Sequence, residues 1–265
     1  MALIQIQIER QIATVTLNRP EKKNALDLSM FLEIDRSIQR LRRDCSVRVV
    51  ILKANGDDFC TGLDIRSVMG SPINALRLLW KWLPGNANLA QRVSVGWRRL
   101  PVPVIAVIQG RCWGGGMQIA LGADKRIAHS QASLSIMEAR WGLIPDMGGT
   151  LSLRENVRAN DALHLAMSAQ ELTAEEAKSL GLVDSVSTDP MTDALQLAQS
   201  YLKFSPDAIA AAKKLYRKAW AGHERQILAK ESWYQLRVLL GRNQRIMVKR
   251  QKDAADISFA PRGHW

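Results

Sequence analysis

No stretch of this 265-residue chain approaches the ~20 consecutive apolar residues that a membrane-spanning helix requires. Its composition is that of a soluble globular protein, with no low-complexity tract to suggest disorder. Cysteine is scarce. Three residues (Cys45, Cys60 and Cys112), an odd number without framework spacing, point to free thiols and a reducing compartment, by default the cytoplasm. The four histidines (His129, His164, His223 and His264) lie far apart with no metal-ligand spacing, so neither a zinc site nor a conventional triad is expected. There is no GxxxxGK[ST] phosphate loop, no GxGxxG fingerprint and no GxSxG elbow.

What the chain does have is positive charge and a run of glycines. The formal charge of +12 makes an anionic partner worth considering, with nucleic acid, acidic lipid and a polyphosphate small molecule all compatible. The basic residues are scattered in short pairs such as Lys22-Lys23, and a merely solvated basic surface fits them as well. The first residues alternate apolar and polar and read as strand rather than as a targeting peptide.

Ile4, Ile6 and Ile8, then Ile12, Val15 and Leu17, predict two short strands joined by a tight turn at Glu9–Gln11. Phe31, Ile34, Ile38 and Leu41 predict a helix over 27–43 with Asp27 as its cap. Val47–Leu52 and Val104–Ile108 are continuous apolar runs, as expected of strands buried on both faces. KRIAH and ASLSI predict further strand pieces, and the chain is helical in pattern from about Asp189. The organisation expected is an α/β core over residues 1–190 and a helical region over 191–265.

Each of the two buried strands leads into a glycine-containing loop and then a helix start: Cys60-Thr61-Gly62-Leu63-Asp64 after the first, Trp113-Gly114-Gly115-Gly116 after the second. If the strands are neighbours, the loops converge, and two backbone N–H groups aimed at one point form an oxyanion hole. Glycine would let a substrate oxygen approach unobstructed. Close helix–strand packing would demand the same glycines, and on these residues alone the two readings stand level.

The chain resembles the crotonase superfamily of enoyl-CoA hydratases and isomerases. The matching pieces, in family order and spacing, are LNRPEKKNAL (17–26), DDFCTGLDIRSVM (57–69), PVPVIAVIQGRCWGGGMQIALGADKRIA (101–128), MEARWGLIPDMGGTLSL (137–153) and LTAEEAKSLGLVDSV (172–186). The resemblance implies a spiral of ββα units with C-terminal helices used for trimerisation, as a homotrimer or a dimer of trimers. It implies an acyl-CoA thioester as substrate, with coenzyme A as part of that substrate, and no other cofactor or metal. Nucleic acid falls behind coenzyme A as a partner, because a pure RNA binder has no use for intact oxyanion loops. The implied oxyanion donors are the N–H groups of Leu63 and Gly115. The implied substrate and coenzyme A contacts are Lys22, Lys23, Ala25, Gly62, Asp64, Arg66, Gly114, Gly116, Gln118 and Trp141.

Hydratases of the family use two glutamates. Glu138 matches one; the other is Gln118 here, and an amide can position water but cannot take its proton. Asp146, eight positions after Glu138, matches the spacing of the acid pair in dienoyl-CoA isomerases. The expectation is therefore a double-bond shift through a thioester enolate, with Glu138 and Asp146 as acid/base groups. The alternatives are a hydratase using water held by Gln118 or Asp146, and a noncatalytic acyl-CoA- or RNA-binding protein. Without the resemblance, Gln118 reads as an ordinary helix residue, Asp146 as the cap of the helix that follows and Glu138 as a solvated strand end. The acyl pocket is expected between Ser71 and Arg99, where Leu76, Leu79, Trp80 and Leu83 form an apolar helical stripe that would suit the core equally. Trp113 and Trp141 adjoin the motifs and could line the same pocket.

Overall fold

The alternation at the N-terminus becomes a hairpin, β1 (Ile4–Glu9) against β2 (Ile12–Leu17), in the computed structural model, which describes residues 2–65, 67, 70, 72–253 and 257–265. Arg10 and Gln11 turn the corner with φ of 47° and 70°, a pair of left-handed residues that matches the strand twist. Next come β3 (Val49–Ala54), β4 (Val104–Ile108), β6 (Lys125–His129) and β9 (Ser185–Ser187), giving a six-stranded sheet of order β1-β2-β3-β4-β6-β9 that is parallel from β2 onward. A second sheet holds β5 (Arg111–Trp113), β7 (Ser133–Ser135) and β8 (Leu172–Thr173). Strand β3 starts two residues later than its apolar run suggests, because Arg48 lies beside the hairpin turn, its N–H donating to Gln11 O.

The apolar runs are buried on both faces, as parallel strands are. Val50, Leu52, Val104, Ala106 and Ile108 face the main core, which includes helix α1 (Leu28–Arg43). Asp27 caps α1, its carboxylate accepting from Met30 N–H at 2.8 Å. Val49, Ile51, Ile105 and Val107 face the other way, against Ala194 and Ala198 of the helix Pro190–Leu202. A boundary at residue 190 thus falls at the start of a helix that seats on the sheet.

The helix Pro206–Ala219 is anchored through half-buried Lys213, whose Nζ donates to Asp124 Oδ2 (2.5 Å), Val102 O (2.8 Å) and Trp97 O (3.3 Å). Helices Glu224–Leu239 and Arg242–Asp253 follow. The last residues return to Asp207, which accepts from Gly263 N–H (2.7 Å), Trp265 Nε1 (2.8 Å) and Asn243 Nδ2 (2.8 Å). Among the described residues no helix is long and apolar enough to cross a membrane.

Candidate active site

Because β3 and β4 are neighbours, the loops that follow them leave the same sheet edge and meet. Cys60 and Cys112 form an isolated parallel bridge, drawing the Thr61–Asp64 loop against the start of the six-residue helix α4 (Gly115–Ala120), numbered after α2 (Pro72–Leu79) and α3 (Leu89–Arg99). Gly116 permits this packing, since a Cβ there would lie 2.3 Å from Cys60 O. Gly62, at φ 91°, would with a Cβ crowd Gly115 N at 3.2 Å and Trp113 O at 3.0 Å. The two explanations of the glycines therefore divide between positions. Gly116 serves packing, and Gly62 keeps the approach to the Gly115 amide clear.

Leu63 bridges Leu26 in parallel fashion: Leu26 N–H donates to Gly62 O (2.8 Å) and Asp64 N–H to Leu26 O (3.0 Å). In such a pair the bridged residue's own N–H points to the opposite side, so the Leu63 N–H faces away from Leu26, on the side of the cavity that Leu63 lines. Gly115 is the first residue of its helix and has no carbonyl four residues back to bond. With so short a helix, it is this single amide rather than a helix dipole that is free to donate.

Buried Asn24 braces the loop from behind, donating to Asn55 O and Asp58 O at 2.9 Å each, while its Oδ1 accepts Arg19 N–H. Arg19 pairs with Asp64 (3.1 Å) and Asp27 (3.2 Å). The Cys60 thiol donates to Asn24 O, and burial pushes its pKa up to about 12. It stays a thiol, so it is no nucleophile.

The loops open onto a cavity of about 480 Å³. Glu138, at the start of a 3₁₀ turn (Glu138–Trp141), and Asp146, on the loop that follows, both line it. Glu138 is 9% exposed. Its Oε1 accepts from Gln118 Nε2 at 2.6 Å, and its Oε2 is buried without a partner, open to a proton given or taken. A Cβ on Gly114 would stand 3.6 Å from Glu138 Oε1, which places the carboxylate beside Gly114, the residue preceding Gly115. Burial pushes the Glu138 pKa up; the Gln118 bond opposes this, and the like charge of Asp146 adds to it. Asp146 is exposed, yet desolvation on the cavity side raises its pKa as well.

Asp146 does not cap the next helix. The cap of Gly149–Asn156 is Gly148, with no side-chain bond. Nor is Glu138 a solvated strand end.

Of the contacts expected from sequence, the cavity is lined by Lys23, Gly62, Gly114 and Trp141, together with Leu63, Gly115, Glu138 and Asp146. Five do not line it. Lys22 is exposed outside the lining, and Ala25 O accepts from Arg19 Nη1. Asp64 is committed to Arg19, Gly116 packs on Cys60, and Gln118 is buried behind Glu138 with both ends of its amide bonded. Arg66 lies outside the described residues.

The predicted apolar stripe is corrected. Helix α2 turns Ala75, Leu78 and Leu79 to the cavity, while Leu76, Trp80 and Leu83 are 62%, 65% and 56% exposed. The element ends before the stripe does. Sequence reasoning missed Phe31, Arg111, Met137 and Met147 as lining residues, while Ala90 falls within the 71–99 segment expected to hold the pocket. Only the methionines carried a signal, each adjacent in sequence to one of the carboxylates. Among the described residues no three His, Cys, Asp or Glu side chains gather as a cation site.

A family model described as enoyl-CoA hydratase/isomerase matches residues 7–238. A putative enoyl-CoA hydratase/isomerase of Bacillus subtilis, YngF, is 34% identical over 205 residues, 76% of each chain. The 1,2-epoxyphenylacetyl-CoA isomerase of Escherichia coli is 31% identical over 208 residues, 78% of each. The crystal structure of an enoyl-CoA hydratase from Bacillus anthracis superposes with a TM-score of 0.87 at 25% identity, covering 97% of this chain and 99% of that one.

Proposed function

The chain belongs to the enoyl-CoA hydratase/isomerase family, and within it we propose that the protein shifts a carbon–carbon double bond of an enoyl- or dienoyl-CoA through a thioester enolate. The thioester oxygen would accept from the Leu63 and Gly115 amides, each worth roughly 3–4 kcal/mol toward an oxyanion. Glu138 moves a proton at the carbon next to the thioester, and Asp146 serves the far end of the shifting bond. Lys23 at the mouth offers the coenzyme A phosphates a positive charge. No metal or further cofactor enters this reading.

The observation that carries it is the pair of carboxylates on one largely apolar cavity, both with raised pKa values, while the side chain at 118 is turned away from that cavity. Two carboxyls whose pKa values are both raised by desolvation suit a proton transfer from one carbon to another. Hydration is the second reading, favoured by relatives named as hydratases, such as EchA19 of Mycobacterium tuberculosis. The trimer or dimer of trimers belongs to the same proposal. It would bury Tyr216, Trp220, Trp233, Leu236 and Leu239, which stand exposed on the C-terminal helices.

The test is proton NMR of the protein with 3-octenoyl-CoA in D2O, beside the variant carrying Glu138→Gln and Asp146→Asn. Deuterium at C4 of the migrated product, or at C2 through reversible enolate formation, supports the proposal. A wild type that binds the thioester without exchange, or that only adds water to 2-octenoyl-CoA, overturns it. Sedimentation as a monomer would remove the assembly part.

A further inference from the structure

Position 118 is where the chain departs from the two-glutamate pattern, and the amide there is bonded at both ends. Gln118 is 1% exposed. Its Oε1 accepts Met147 N–H (2.9 Å) and Gly149 N–H (3.1 Å), which fixes that end as the oxygen, and its Nε2 donates to Glu138 Oε1 (2.6 Å). These partners lie on the two segments that carry the carboxylates, since Met147 directly follows Asp146. The backbone of Gln118 is held in turn: its N–H donates to Gly114 O (3.0 Å), and its carbonyl accepts from Ser94 Oγ (2.5 Å). The fit is close on the loop side as well, where a Cβ on Gly149 would lie 3.0 Å from Gln118 Oε1.

We propose that Gln118 is a positioning residue that holds Glu138 and the Asp146-bearing loop in register through one amide, without touching substrate. This rests on the reading of Glu138 and Asp146 as the proton-transfer pair. Two loop N–H groups need an acceptor, and an ionised Glu138 needs a donor; an amide presents one of each. A carboxylate at 118 would serve the loop equally but would set a second oxygen against Glu138, so that the two carboxyls share one proton. The charged groups around Glu138 are Asp146 on the loop and, among the cavity walls, Lys23 and Arg111, the latter paired with Asp58 at 2.8 Å.

The experiment is NMR titration of protein labelled with ¹³C and ¹⁵N in glutamate and glutamine, comparing wild type, Gln118→Glu and Glu138→Gln. In the wild type, the Gln118 side-chain amide should titrate with the midpoint of the Glu138 carboxyl, and it should cease to do so in Glu138→Gln. In Gln118→Glu, the Glu138 midpoint should rise by at least one unit, a tenfold change in proton affinity. The acid limb of kcat should move with it while KM stays within threefold. An unmoved midpoint, or a Gln118 amide indifferent to Glu138, overturns the proposal. Should Gln118→Glu fail to fold, the wild-type titration decides alone. The titration needs no turnover, so failure of the functional reading, seen as thioester binding without C2 exchange, is separately visible.

Discussion

Replacing Gly62 by alanine tests the oxyanion assignment with a single methyl group. The added Cβ would stand 3.2 Å from Gly115 N and 3.0 Å from Trp113 O, both backbone atoms with little freedom to retreat. At φ 91° the backbone itself costs a non-glycine residue about 1–2 kcal/mol. For a chain of this size that is a fall in Tm of about 2–8 °C. The catalytic effect should be larger. Obstructing one amide donor removes about 3 kcal/mol of transition-state stabilisation, or roughly 150-fold in kcat. The assay pairs kcat for the thioester with calorimetric binding of a nonreactive acyl-CoA thioether and with thermal melting. A folded Gly62→Ala protein whose kcat stays within about threefold of wild type would refute the placement of the oxyanion between these loops. A loss confined to binding would refute it too, because the amide is assigned to the enolate rather than to the ground state.

Glu138→Gln should abolish C2 exchange while raising Tm at pH 8. A carboxyl whose folded pKa lies above its unfolded value destabilises the fold once both states are ionised, so the gain in Tm should shrink as pH falls and vanish in the ordinary carboxylate range. A melting series from pH 4 to 8 that shows no such convergence would contradict the burial argument. Asp207→Ala leaves three donors without their acceptor and should cost about 3 kcal/mol. Hydrogen exchange should show residues 259–265 losing protection first; unchanged protection would mean the tail is held by other contacts.

The strands and the Asp27 cap were legible in the sequence because they are set by local periodicity and by one side chain reaching three residues along. The glycine loops were legible as a pair because two buried strands ended in the same way. The depth of the site was not. Phe31 sits on a helix whose apolar face looks like any core stripe, and only its position beneath the loops makes it a cavity wall.

By itself, the sequence determined the N-terminal hairpin, helix α1, strands β3, β4, β6 and β7 and the helical tail, the two loops that must converge if β3 and β4 are neighbours, and the two carboxylates eight residues apart. Tertiary structure decided which way each side chain turned. Asp146 lines the cavity, and Gly148, not Asp146, stands at the cap of the helix that follows. Gln118 turns to Glu138 and the loop because its helix is pinned at Gly114 and Ser94. Leu76 stays exposed because helix α2 turns Ala75, Leu78 and Leu79 to the cavity instead, and Trp80 stays exposed because the helix ends at Leu79. The physical reason is common to all three. Spacing along a chain fixes which residues share a face, but which face is buried depends on what the rest of the chain brings against it.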